Sequence, residues 1–194
     1  ATAEGIFVAI ADVEKYQVGQ IVVVSGTVAE VDQLTSLIDA EVLGECGTTA
    51  IKPLVVQLPL DANLSWEAYE GMWLRFEQPL VVADTYQLGR YGEILLANAR
   101  LMVPTQVVEP GDMARQLVQQ QERQAILLDD GAWQQNPDPL PYPTTGLSAQ
   151  SSLRVGDQVL NVEGIVHQDE RGYRLLPTQQ ATFVTANPRP AKPA

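Results

Sequence analysis

Val18-Gly19-Gln20-Ile21-Val22-Val23-Val24-Ser25-Gly26-Thr27-Val28 has an echo late in the chain, Val155-Gly156-Asp157-Gln158-Val159-Leu160-Asn161-Val162-Glu163-Gly164-Ile165-Val166. Both stretches open on Val-Gly, run on as β-branched and apolar residues, break at a glycine, and resume with valine two positions later. Alternation sets Val22 and Val24 on one face and Val23 and Ser25 on the other, the period-2 pattern of a half-buried strand. A glycine inside such a run marks a place where the strand coils sharply or another backbone comes close, as in a small barrel. The two glycine-to-glycine intervals differ by one residue, so the echo is a repeat of topology.

Outward from these runs, each copy is preceded by a short apolar strand (Ile6–Val8; Ile126–Leu128) and followed by another (Leu34–Ile38, after a turn at Asp32; Tyr173–Leu176). Two further strand regions, 72–82 and 94–103, stand before the second copy. The second half can thus complete a five-stranded barrel of the OB type, with a helix inserted after its third strand. The first half holds only the last three strands of that plan. Its opening strands would lie upstream of Ala1, or be supplied by Leu54–Leu58 and a neighbouring chain. The expected fold is mainly β, with two OB-fold-like barrels, the first truncated at its N-terminus. The expected division is a partial domain over 1–60, a second domain over 70–186 and a linker over 187–194. An incomplete barrel leaves an open sheet edge, through which self-pairing into a homo-oligomer is expected.

Local signals fill in the remainder. Residues 44–50 read as a loop, as does the glycine-punctuated segment Thr85–Gly92. Pro59–Tyr69 reads as a connection with one helical turn, capped at Asn63 or Ser65 and bringing Trp66 and Tyr69 to one face. The convincing helix follows Pro110-Gly111, with Asp112 as N-cap and Met113, Leu117 and Val118 as its apolar stripe through about Arg123. Asn136-Pro137-Asp138-Pro139 and Pro141-Tyr142-Pro143 predict a rigid, extended loop.

Composition narrows the function. The 194 residues are 45% hydrophobic, enough for a core, and no apolar run approaches membrane-spanning length. Ala1–Ile10 has no signal-peptide pattern. With 24 acidic against 12 basic side chains the net charge is -12, the opposite of the basic face that nucleic-acid binders usually present. The single cysteine, Cys46, excludes an internal disulfide and is expected as a small buried side chain near a strand end.

An ordered set of segments resembles a known family. Gly5-Ile6-Phe7-Val8, Val18-Gly19 through Gly26-Thr27-Val28-Ala29-Glu30, and Leu34-Thr35 are similar to the OB-fold domain of bacterial extracellular nucleases. Tyr69-Glu70-Gly71-Met72, Leu88-Gly89-Arg90-Tyr91-Gly92-Glu93, Leu128-Asp129-Asp130-Gly131, Arg154-Val155-Gly156-Asp157, Tyr173-Arg174-Leu175-Leu176 and Asn187-Pro188-Arg189-Pro190 continue the likeness in order. The resemblance implies an accessory region preceding a catalytic domain of the endonuclease/exonuclease/phosphatase type. It further implies an extracellular or periplasmic setting, and a divalent metal only in that other domain.

The chemistry inside this segment points the same way. His167 is its single histidine, and nucleophile elbows, phosphate loops and cysteine clusters are missing, so no catalytic residue and no cofactor is expected here. Asp129, Asp130, Asn136 and Asp138 offer hard oxygen ligands suited to Ca²⁺, but at spacings better explained by turn hydrogen bonds. OB barrels hold single strands with stacking aromatics and a basic groove. Candidates for that role are Trp73 with Arg75, Tyr86 with Arg90 and Tyr91, and Arg171 with Tyr173 and Arg174. The alternative for each is barrel packing and pairing with the many carboxylates. At the level of function, the alternatives are weak nucleic-acid positioning beside the catalytic domain and a scaffold that touches no substrate.

Overall fold

A computed structural model describes residues 5–143, 146–148 and 151–188. The strands in chain order are β1 (Phe7–Val8), β2 (Gln20–Val31), β3 (Leu34–Thr48), β4 (Leu54–Val55), β5 (Trp73–Phe76) and β6 (Leu80–Asp84). After the short helix α1 (Leu88–Tyr91) come β7 (Ile94–Ala97), α2 (Pro104–Val107), α3 (Asp112–Glu122) and β8 (Ala125–Leu128). The chain ends with β9 (Gln158–Leu160), β10 (Val162–Asp169), β11 (Gly172–Pro177) and β12 (Thr182–Val184).

The larger sheet has the order β12-β9-β6-β7-β8-β11-β10-β5-β4. β5 and β6 are two halves of one strand interrupted at residues 77–79, and β9 and β10 are two halves of another interrupted at Asn161. Both halves pair antiparallel, Phe76 with Val162 and Leu80 with Val159. The break has a local cause on each side, since Pro79 has no N–H to donate and Asn161 takes a left-handed backbone with φ of 56°. Because β6 also pairs with β7, the sheet returns to its own first strand and closes. Counting joined halves once, the order is 1-2-3-5-4-1 with the third and fifth strands parallel, which is the OB plan. Leu74, Leu80, Val82, Ile94, Leu96, Leu128, Val159, Val166 and Leu175 have no exposed surface and form its core. Val56, Leu58 and Leu60 join that core, so its packing begins well upstream of residue 70.

The first unit is a separate three-stranded sheet of order β1-β3-β2. β1 runs parallel to β3, and β2 and β3 form a long hairpin with a register shift at Gly26. This reproduces β8-β11-β10 of the closed barrel, so the echo in the sequence is an echo in topology. The two units meet where the Thr35 N–H donates to Glu70 Oε1 at 2.9 Å. There a Cβ on Gly5 would fall 2.2 Å from the Gly71 carbonyl carbon, leaving room only for glycine.

Several local expectations are corrected. Residues 44–48 continue β3, because they find partners in the first half of β2. β4 spans only Leu54–Val55 and pairs with β5, so it does not complete the first unit. Residues 101–103 form no strand and lead into α2, whose Pro104 fits a first helical position. The main helix precedes the third barrel strand; the third-to-fourth connection is the proline-rich loop. Gly111 occupies the N-cap position expected for Asp112, and α3 buries Ala114 while Met113 and Val118 remain exposed. Neither Asn63 nor Ser65 caps the turn at Trp66–Tyr69 with its side chain, though the two rings do meet, 6.2 Å apart. Cys46 is exposed, in the part of the hairpin that projects past the first unit's core. Of the expected linker, residues 189–194 lie outside the described residues.

Candidate functional site

In an OB barrel the loop between the first two strands and the turn between the last two flank the outer face of the second and third strands, where ligands lie. Here that face is β7 and β8, and their outward residues Leu95 and Leu127 floor an open groove of about 900 Å³. Trp66, Leu101, Tyr173 and Val118 of α3 wall it, and Arg171 stands at its rim.

The rim combines three segments. The β6–β7 loop contributes Tyr86, Arg90, Tyr91 and Glu93, the β10–β11 turn contributes Arg171, and the loop after β8 contributes Trp133. The Arg171 guanidinium carbon lies 5.6 Å from the Tyr91 ring centre and 5.9 Å from that of Trp133, a cation between two aromatic faces. Arg90 sits 5.7 Å from the same Tyr91 ring. Trp133 and Tyr86 are each 84% exposed, far more than large aromatics need for packing. Gly92 closes α1 in the left-handed region at φ 74°, and a Cβ there would meet Pro141 at 2.8 Å. The Asn136 N–H donates to the Arg90 carbonyl at 2.8 Å, fixing this loop against the proline-rich one.

Beneath the rim lies a charge network. Arg174 Nη1 donates to Asp129 Oδ2 at 2.5 Å and to Glu93 Oε1 at 3.3 Å, and Nη2 to Asp169 Oδ1 at 2.5 Å. Arg171 donates to the same Glu93 oxygen at 2.5 Å and to Asp169 Oδ2 at 3.2 Å. Burial pushes the Glu93 carboxyl up; Arg171 and Arg174 oppose that shift, and Asp129 and Asp169 add to it. Burial works against the charge on Arg171, yet Glu93, Asp169 and Asp129 outweigh it and hold the guanidinium more firmly protonated. These two arginines are therefore largely neutralised, which limits their pull on a phosphate. Among the described residues no carboxylate lies within ion-pair distance of Arg90.

The expected site residues thus divide. Tyr86, Arg90, Tyr91, Arg171 and Tyr173 gather on one side of the barrel. Arg174 lies underneath as a buried tie, and Tyr173 turns its hydroxyl to Glu67. Trp73 and Arg75 stand apart on β5: Trp73 Nε1 donates to Thr178 Oγ1 at 3.1 Å, and Arg75 Nε donates to Glu163 at 2.7 Å. Residues that pattern reading missed include Trp133, Glu93 and Asp169. A tryptophan just after Asp129-Asp130-Gly131 in a polar loop was the available signal for the first.

The four oxygen-bearing candidates for a cation serve the loop itself. Asp129 Oδ1 accepts the Gly131 N–H and Asp130 Oδ1 the Ala132 N–H, both at 2.9 Å, while Asp129 Oδ2 holds Arg174. Asn136 takes a left-handed backbone, and Asp138 is exposed in the same loop. Among the described residues no three His, Cys, Asp or Glu side chains gather as a metal site would require. Nor is any described helix long and apolar enough to cross a membrane.

Fold and rim together define a β-barrel domain of OB topology with an aromatic, part-cationic edge beside an apolar groove. Residues 59–188 match a domain family whose function is unknown, DUF8508, and the chain belongs to that family. No curated protein and no solved structure matches it.

Proposed function

We propose that this chain is a non-catalytic accessory module that positions a single nucleic-acid strand, chiefly by base stacking, for a separate metal-dependent phosphodiesterase domain of a secreted nuclease. The observation that carries this reading is the Tyr91–Arg171–Trp133 stack on the loop edge of the OB face, in which Trp133 is 84% exposed, with the equally exposed Tyr86 on the same loop as Tyr91. Each stacked base contributes about 1–3 kcal/mol in such sites, whatever its identity. Binding is weak, because the net charge of -12 repels a polyanion and two rim or sub-rim arginines are already paired. A secreted setting, extracellular or periplasmic, comes with the proposed nuclease, and a chain with one cysteine is compatible with it.

The same neutralised charges favour a second reading, a scaffold that supports the catalytic domain and leaves the strand alone. Anisotropy of a labelled single-stranded oligonucleotide at low salt separates the two. Binding that Trp133→Ala weakens about tenfold, and that fades with added salt, supports strand positioning. No binding at low salt, or binding indifferent to Trp133→Ala and Arg90→Ala, leaves the scaffold.

A further inference from the structure

Glu93 Oε1 accepts from two guanidinium groups at once, Arg171 Nη1 at 2.5 Å and Arg174 Nη1 at 3.3 Å. The side chains of Glu93 and Arg174 are buried, whereas that of Arg171 is 44% exposed at the rim. The cluster is unbalanced. Three carboxylates, Glu93, Asp129 and Asp169, share two cations, so one negative charge is in excess. Arg174 keeps its place without Glu93, since Asp129 and Asp169 each hold it at 2.5 Å. Arg171 is held more loosely. Its other partners are Asp169 at 3.2 Å and Asp129 at 3.9 Å, both longer contacts than the one to Glu93. Arg90 flanks the same Tyr91 ring as Arg171, with no carboxylate within ion-pair distance among the described residues.

We propose that Glu93 is an acid-sensitive latch on this rim: when it loses its charge it releases Arg171, which joins Arg90 beside Tyr91 and takes a backbone phosphate of the bound strand. The latch rests on the strand-positioning reading and supplies the regulation of that same site. A proton on Glu93 cancels the excess charge, leaving two carboxylates to two guanidiniums and a rim that no longer repels a phosphate. Burial favours that proton, with Arg171 opposing it, Asp129 adding, Arg174 opposing and Asp169 adding. Other groups face the cluster from each neighbouring element. The loop after β8 brings Asp129 and Asp130, the latter also raised by burial. β10 and its turn bring Asp169, the exposed Glu170 and His167, whose protonation burial and then Arg174 defer to lower pH. Tyr142 of the proline-rich loop stays neutral, its pKa raised by burial and then by Asp130 and Asp129. Of all the carboxylates here, Glu93 makes the closest contact to Arg171.

Anisotropy of a labelled oligothymidine, whose bases do not titrate between pH 5 and pH 7.5, tests this on the whole 194-residue chain. At pH 7.5 Glu93→Gln is expected to bind about fivefold more tightly than the parent, and one added phosphate contact steepens the fall of log affinity with log salt by about 0.7. Adding Arg171→Gln to that variant removes both gains. The parent acquires the same steeper salt dependence at pH 5, whereas Glu93→Gln keeps one slope at both pH values. The measurement on the parent decides even where the variant folds poorly. Equal salt slopes for the parent at the two pH values, or a gain in Glu93→Gln that survives the loss of Arg171, overturn the latch and leave strand positioning standing. Absence of binding by all of these proteins at both pH values overturns strand positioning, and the latch with it.

Discussion

Arg174 Nη1 lies 2.5 Å from Asp129 Oδ2, and their side chains are only 2% and 5% exposed. A guanidinium there bridges β11 to the loop after β8 and to the end of β10, tying the third, fourth and fifth barrel strands at one rim. Replacing it with leucine strips Asp129 of its near cation, leaving only Arg171 at 3.9 Å, and leaves Glu93 to Arg171 alone. The loss is about 3–5 kcal/mol at pH 7, read by urea denaturation. Burial already raises the Glu93 carboxyl and Arg174 opposes that shift, so without Arg174 it takes up a proton more readily in acid and the deficit shrinks at pH 5. Arg174→Lys recovers part of it, since an ammonium cannot span three carboxylates as a planar fork does.

Gly164 is fixed by a close approach of backbone. Alanine there puts its Cβ against the Leu176 carbonyl oxygen across the ladder, so the strand must shift. Overpacking of this kind costs about 1–3 kcal/mol. Gly44, which has nothing within 4 Å of a built Cβ, is the control, and Gly44→Ala shifts the melting point little. Equal effects at the two positions would remove the steric account.

That contrast marks how far the sequence could be read. The glycine interruptions at Gly26 and Gly164 carry the repeat, because only a coiled strand needs them, and the OB order follows from their spacing and flanking strands. Periodicity failed where tertiary partners decide. Residues 44–48 look like a loop until β2 offers them a ladder. Leu101–Val103 look like a strand but have no neighbour to pair with. At the candidate site, Arg90 and Tyr91 were legible from a glycine-flanked loop. Arg174 was misjudged because its surroundings are assembled from Glu93, Asp129 and Asp169, far apart in the chain. Trp73 and Arg75 follow the same aromatic-plus-cation pattern as the others, and only the strand order places them away from the groove.

Asp157 clamps the C-terminal segment. Its Oδ1 accepts the N–H groups of Ala186 and Asn187 at 3.0 and 2.9 Å, and its Oδ2 that of Arg154 at 2.8 Å. Asn187 answers by donating to the Val155 carbonyl at 2.8 Å. With Asp157 only 2% exposed, Asp157→Ala strands three donors at once. A stability loss of about 2–4 kcal/mol is expected from charge-assisted bonds of this kind. The more specific readout is limited proteolysis: cleavage after Thr185 becomes rapid in the variant and stays slow in the parent.

His167 sits opposite Arg174 in the β10–β11 ladder. Burial lowers its pKa from the usual 6.5, and Arg174 lowers it further, outweighing Asp169, Asp129 and Glu70. A histidine depressed in the fold contributes stability above its unfolded pKa, and that contribution is lost as pH falls through the folded value. The unfolded chain takes up the proton first, so stability declines from about pH 6.5 downward. Glu93 and Asp130, whose carboxyls burial raises, act in the opposite sense over an overlapping range. The wild-type curve alone therefore mixes the two. His167→Gln isolates the histidine: its melting temperature falls less between pH 7.5 and pH 5.5 than that of the parent. Parallel curves for the two proteins would mean that His167 titrates alike in folded and unfolded chains, and that burial and Arg174 do not outweigh the neighbouring carboxylates.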